Sequence, residues 1–199
     1  MLKESSGMNG ISYEYFYNGS GVAVGDFNND GWEDIYLVST LKKNHLYLNT
    51  KSLSFRDVTD ISKADTGSGF DSGVTVVDIN QDGLLDIYVC RTGRFKQEKP
   101  RRNALMVNQG ITNGIPVFEE QASKYGLDNP SFSTQAGFFD YDRDGDLDMF
   151  LINHGIDNYP DDSIDEFLKS TSEYRGERLF RNDEGEFNDV TTQSGIINN

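Results

Sequence analysis

The sequence predicts an all-β chain built from three repeats, each a unit of four short strands. Three observations carry this. First, the pattern D-x-[DN]-x-D-G-x-x-D occurs at 26–34, 78–86 and 140–148. Second, each copy lies between two short apolar runs, "GVAVGDF" and "DIYLVS" around the first. Third, segments of helical period are nearly absent, and Gly, Asn and Asp turns separate the runs. A four-stranded unit recurring at this scale is the signature of β-propeller blades. The first aspartates stand at 26, 78 and 140, which gives spacings of 52 and 62 residues.

The elements follow in the same order in every copy. A strand opens each ("GVAVGDF", "GVTVVDI", "AGFFDY"), the acidic loop follows, and a second strand leaves it ("DIYLVS", "DIYVCR", "DMFLIN"). A third strand comes at 44–49, 103–108 and 177–182, each ending in an Asn, which tolerates the left-handed backbone of a turn. The fourth lies at 54–59, 117–122 and 186–191. Two copies then close on Gly and an apolar residue, "YGL" and "SGI". The expected blades are therefore 21–69, 70–128 and 129–199, with 1–20 as the tail of a preceding blade and a strand at 12–17. Two insertions, 91–103 and 154–177, fall between second and third strands and should emerge on one face. The first is the one basic stretch of an acidic chain; the second suggests a short helix near 163–170.

The acidic loops hold the chemistry. Carboxylates this dense repel one another unless a cation sits among them. Calcium takes six to eight oxygens from carboxylates, amides, backbone carbonyls and water. Positions 1, 3 and 5 of a tight loop can turn their oxygens inward, and Gly at position 6 permits the bend. Position 7 offers its backbone carbonyl, and position 9 returns a carboxylate from the next strand. This assigns Asp26, Asn28, Asp30, Trp32 and Asp34 to a first Ca²⁺ site. Asp78, Asn80, Asp82, Leu84 and Asp86 form the second, and Asp140, Asp142, Asp144, Asp146 and Asp148 the third. An EF-hand is excluded. It needs Glu at position 12 and flanking helices, and position 12 is Leu37, Val89 or Leu151 within a β run. Transition metals want His or Cys, and His45 and His154 lie outside the loops.

The net charge of −15 argues against nucleic acid as a partner. No stretch is apolar enough to span a membrane. A single cysteine, Cys90, cannot form an intrachain disulfide and reads as a small buried strand residue. No nucleophile–base pair is recognisable, so an enzyme is not expected. Part of a metal-assisted hydrolase and a carbohydrate-binding module are the alternatives.

The three loops set between strands resemble FG-GAP or VCBS repeats, as in the integrin α-subunit propeller. The fuller pattern "GVAVGDFNNDGWEDIYLVS", "NHLYLN", "FRDVT" and "SGI" resembles the bacterial relatives of cartilage acidic protein, of the ASPIC/UnbV type. The resemblance implies a calcium-bearing propeller, secreted or at the cell surface, used for adhesion, ligand binding or scaffolding. Such propellers commonly have more blades than three. The expectation is therefore an arc of a larger propeller that self-associates or is completed by further blades of a longer chain, with a protein or glycan ligand.

Overall fold

The computed structural model describes residues 3–155, 174 and 176–196. These form three four-stranded antiparallel sheets, each from four strands consecutive in the chain. The first holds β1 (Val22–Gly25), β2 (Asp34–Leu37), β3 (His45–Asn49) and β4 (Phe55–Asp57). The second holds β5 (Phe70–Val77), β6 (Asp86–Thr92), β7 (Ala104–Thr112) and β8 (Ile115–Glu120). The third holds β9 (Ser133–Phe139), β10 (Asp148–Asn153), β11 (Arg178–Asp183) and β12 (Glu186–Asp189). Each acidic loop joins a first strand to a second, so all three lie at one end of the sheets, with 91–103 and the described ends of 154–177 at the other.

The sheets pack face to face. Alternation along a strand sends successive side chains to opposite faces, and both faces of the middle sheet are apolar. Val74, Val89 and Met106 meet Tyr36, Val38 and Leu48 of the first sheet. Tyr88, Cys90 and Leu105 meet Met149, Leu151 and Phe180 of the third. First strands are nearest to one another at the seams. A Cβ on Gly73 would fall 2.1 Å from the Thr134 carbonyl oxygen, so only glycine fits there. Gly21, 52 residues earlier, makes the same approach to Val74.

Short turns close the units. α1 (Thr59–Ser62) and α2 (Ala122–Tyr125) are single turns that end on left-handed residues, Lys63 and Gly126. Leu127 N–H donates to Ala122 O, Ile196 N–H to Thr191 O, and Ala64 N–H to Thr59 O. The closing turn read as "YGL" and "SGI" thus has a third copy at Lys63–Ala64, hidden because lysine holds the left-handed position. Tyr36 and Tyr88 fasten this turn, donating hydroxyl bonds to Ala64 O and Leu127 O at 2.7 and 2.9 Å.

Two expectations are corrected. The strand expected at 12–17 is a 3-10 turn over Glu14–Tyr17. The turn brings both Tyr13 and Phe16 onto Phe70, at ring-centroid distances of 5.4 and 6.3 Å, in a third, smaller core. Asn49, Asn108 and Asn182 do not adopt left-handed backbone; each instead accepts a turn N–H on its side chain, from Lys51, Gly110 and Gly185. Of the six basic side chains of 91–103, three pair within the fold, while Arg94, Lys96 and Lys99 are exposed. Arg91 is buried against Asp71 at 2.9 Å, Arg101 lies over the Phe132 and Tyr174 rings, and Arg102 pairs with Glu98 and Asp128. Tyr174 also donates to Glu98, so the described ends of the two insertions touch. The helix expected near 163–170 lies outside the described residues.

Candidate metal centre

The three loops share one hydrogen-bond plan. The first aspartate accepts the N–H groups that follow it: Asp26 from Asp30 and Gly31 at 2.9 and 2.7 Å, Asp78 from Asp82 and Gly83 at 3.0 and 2.9 Å. Asp140 accepts from Arg143 and Gly145 at 2.6 and 3.2 Å. The position-5 aspartates Asp30, Asp82 and Asp144 accept from Trp32, Leu84 and Asp146. Two residues in each loop are left-handed: Asn29 and Gly31, Gln81 and Gly83, Arg143 and Gly145. Glycine adopts this backbone freely, which suits it to position 6, where φ reaches +86°, +83° and +102°.

Asp34, Asp86 and Asp148 at position 9 are fully buried. One oxygen of each accepts the N–H of Phe27, Ile79 or Tyr141, at 3.0, 2.9 and 2.8 Å. The other accepts from Asn49, Asn108 or Asn182 on the third strand, at 2.8, 2.7 and 2.9 Å. The carboxylate therefore ties loop, second strand and third strand together. This second duty was missed in the sequence, because its donor is a backbone N–H; what the recurring Asn does mark is its Nδ2 bond to the carbonyl before the position-9 aspartate, at Glu33, Leu85 and Leu147. Burial pushes the Asp34 and Asp86 carboxyls up to about 6, against the pull of those backbone N–H groups.

In the third loop, carboxylate oxygens of Asp140, Asp142 and Asp148 lie within 4.8 Å of one another. Among the described residues no other trio of His, Cys, Asp or Glu comes so close. The first two loops carry Asn28 and Asn80 in the place of Asp142, so an amide replaces one carboxylate. Asp144 stands outside that trio, and its Oδ1 accepts the Asp146 N–H. Asp142 is held above the usual carboxylate range by desolvation first, then by the charges of Asp144, Asp148 and Asp140. The donor set fits a hard cation. Asn28 supplies the clearest sign: it is buried, its Nδ2 donates to Asp30 and to Gly114 O, and its Oδ1 is buried without a partner. A buried acceptor left bare is costly, and a cation among the loop oxygens would satisfy it.

The two histidines take no part. His45 of β3 faces Asp57 of β4. His154 lies at the insertion end against Thr92 and Tyr13. Cys90 is buried, and burial pushes its thiol up, so it is no nucleophile.

Residues 26–89 match the FG-GAP-like repeat. This FG-GAP-like segment takes in the first and second acidic loops; the third, outside it, follows the same hydrogen-bond plan. Cartilage acidic protein 1 of Xenopus tropicalis is 30% identical to the chain over 139 residues, which is 69% of the chain and 20% of that relative. The chain thus spans about one fifth of the length of the curated relative it matches. No helix among the described residues is long and apolar enough to cross a membrane.

Proposed function

We propose that the chain is a calcium-stabilised, non-catalytic binding or scaffold module made of β-propeller blades, 21–69, 70–128 and 129–199. Its place would be extracellular or at the cell surface, as the FG-GAP resemblance implies. Asp26, Asn28, Asp30 and Asp34 would hold one Ca²⁺ with the Trp32 carbonyl. Asp78, Asn80, Asp82 and Asp86 would hold a second with the Leu84 carbonyl. Asp140, Asp142, Asp144 and Asp148 would hold a third with the Asp146 carbonyl. The cation would cancel the repulsion within each loop and fix the turn between first and second strands.

The observation that supports this best is the unpartnered Asn28 Oδ1 in a loop whose plan recurs three times. Extracellular calcium modules have dissociation constants of about 10⁻⁴ to 10⁻³ M. At roughly 1 mM free Ca²⁺, a site of about 10⁻⁴ M adds on the order of 1.4 kcal/mol through mass action. Calorimetric titration should find three Ca²⁺ per chain, the Asp140–Asp148 site tightest because it has four aspartates. EDTA should lower the melting midpoint; an unchanged midpoint would sink the stabilising role.

Both outer faces of the stack are apolar. Val22, Val24 and Leu37 are exposed on the first sheet, Phe139 and Ile152 on the third. Their counterparts on the middle sheet are largely covered by a neighbouring sheet: Val74, Val89, Val77 and Cys90 are buried and Val76 is half-buried. We infer that the 199-residue chain, made alone, pairs the third sheet of one copy with the first sheet of another, two arcs forming a six-bladed ring. Light scattering decides this; a monomer that binds no apolar dye would contradict it.

A further inference from the structure

Position 4 of the loops belongs to no ligand pattern, yet it makes the same bond at both seams. Asn29 Nδ2 donates to the Gly83 carbonyl of the second loop at 3.3 Å. Gln81 Nε2 donates to the Gly145 carbonyl of the third loop, also at 3.3 Å. The accepting peptide is the same in both cases, and its other side is occupied too. The Gly83–Leu84 peptide donates its N–H to Asp82 at 2.8 Å, and the Gly145–Asp146 peptide donates to Asp144 at 3.2 Å. One rigid peptide plane therefore joins a position-5 carboxylate of one loop to position 4 of the loop before it. Asn29 sits between Asn28 and Asp30, and Gln81 between Asn80 and Asp82.

We propose that Asn29 and Gln81 couple cation binding between neighbouring loops, Asn29 linking the first to the second and Gln81 the second to the third. This rests on the calcium reading above. A cation that fixes Asp82 orients the Gly83–Leu84 peptide. Its carbonyl then holds Asn29, and with it the residues on either side that grip the first cation. The first loop is also tied to the second sheet away from its acidic loop, where Asn28 Nδ2 reaches Gly114 O in the β7–β8 turn and Asn108 Nδ2 of β7 reaches Phe27 O, both at 3.1 Å. Coupling of this kind is a free energy shared by both sites, so each cation favours the other equally.

The single tryptophan makes the test specific. Trp32 lies in the first loop, so tryptophan-sensitised terbium luminescence reports occupancy of that loop. Asn29→Gly removes the amide and keeps the left-handed backbone without strain. With Asn29 present, Asp82→Ala in the second loop should weaken terbium binding at the first by about five-fold. In the Asn29→Gly chain the same substitution should leave it unchanged. Far-UV circular dichroism of each variant in EDTA verifies that the fold is kept. Equal weakening in both backgrounds, or none in either, overturns the coupling. Calorimetry separates the two ideas: three Ca²⁺ bound independently overturn the coupling alone, whereas a chain that binds neither ion overturns the calcium reading with it.

Discussion

Asp86 accepts an N–H on each oxygen, one from Ile79 and one from Asn108, with no exposure to water. Asp86→Ala would leave two buried donors unmatched, each worth about 1–3 kcal/mol. We expect a loss of about 3 kcal/mol in urea unfolding, even in EDTA, where no cation contributes. Asp82→Ala is the contrast: Asp82 is exposed, and in EDTA its loss should stay within about 0.5 kcal/mol. His154 gives a pH signature. Desolvation lowers its pKa below the ordinary value, while its Nδ1–H donates to Gly155 O and its Nε2 accepts from Thr92. The folded chain thus prefers neutral His154. That stability is present above the unfolded pKa of about 6.5 and is lost as pH falls through the folded value. His154→Gln should flatten the fall in stability between about pH 7 and pH 5, measured against the parent chain.

The insertion 91–103 shows where reading the sequence succeeds and fails. Its place between second and third strands was legible from the repeat alignment, because loop and strand patterns recur in fixed order. Its role was not. A run of Arg and Lys does not show which side chains are paired within the fold until partners from distant parts of the chain are known. Asp71, Thr66, Asp128 and Phe132 are such partners for Arg91, Arg102 and Arg101, and no local pattern links them. Arg91→Met would strand the buried Asp71 carboxylate and should cost about 3–5 kcal/mol. Adding Asp71→Asn should recover part of that in the same denaturant titration. The acidic loops were the opposite case. Their hydrogen-bond plan is set by residues within nine positions, so spacing alone made the shared turn legible. What spacing could not supply was the bond from Asp34, Asp86 and Asp148 to the third strand. Nor could it supply the closing turn at Lys63–Ala64, where lysine stands in a position that glycine marks elsewhere.

At the scale of the whole molecule the seams decide behaviour. Gly21 and Gly73 allow close approach of successive first strands, but Gln135 holds that position in the third sheet, 62 residues after Gly73. Its Nε2 donates to the Thr75 hydroxyl at 3.0 Å and to the Val74 carbonyl at 3.4 Å, so it bridges the seam between the second and third sheets. Association between copies is read as a dissociation constant in sedimentation equilibrium. Val24→Lys on one end or Ile152→Lys on the other should weaken it, because each places a charge on an apolar face. A mixture of these two variants should still give pairs, since each keeps one good face.

The two end faces differ in kind: one presents Val22, Val24 and Leu37, the other Phe139 and Ile152. A particle with two unlike sticky ends is bifunctional in the polymer chemist's sense, with a valence of two and a direction. If the angle per copy closes, growth stops at a ring of fixed size, and adding more protein only makes more rings. If the angle misses closure, the same contact runs on as a filament whose mean length rises with concentration. The Val24→Lys chain would then act as a chain stopper, and a small fraction of it would shorten every filament in the tube.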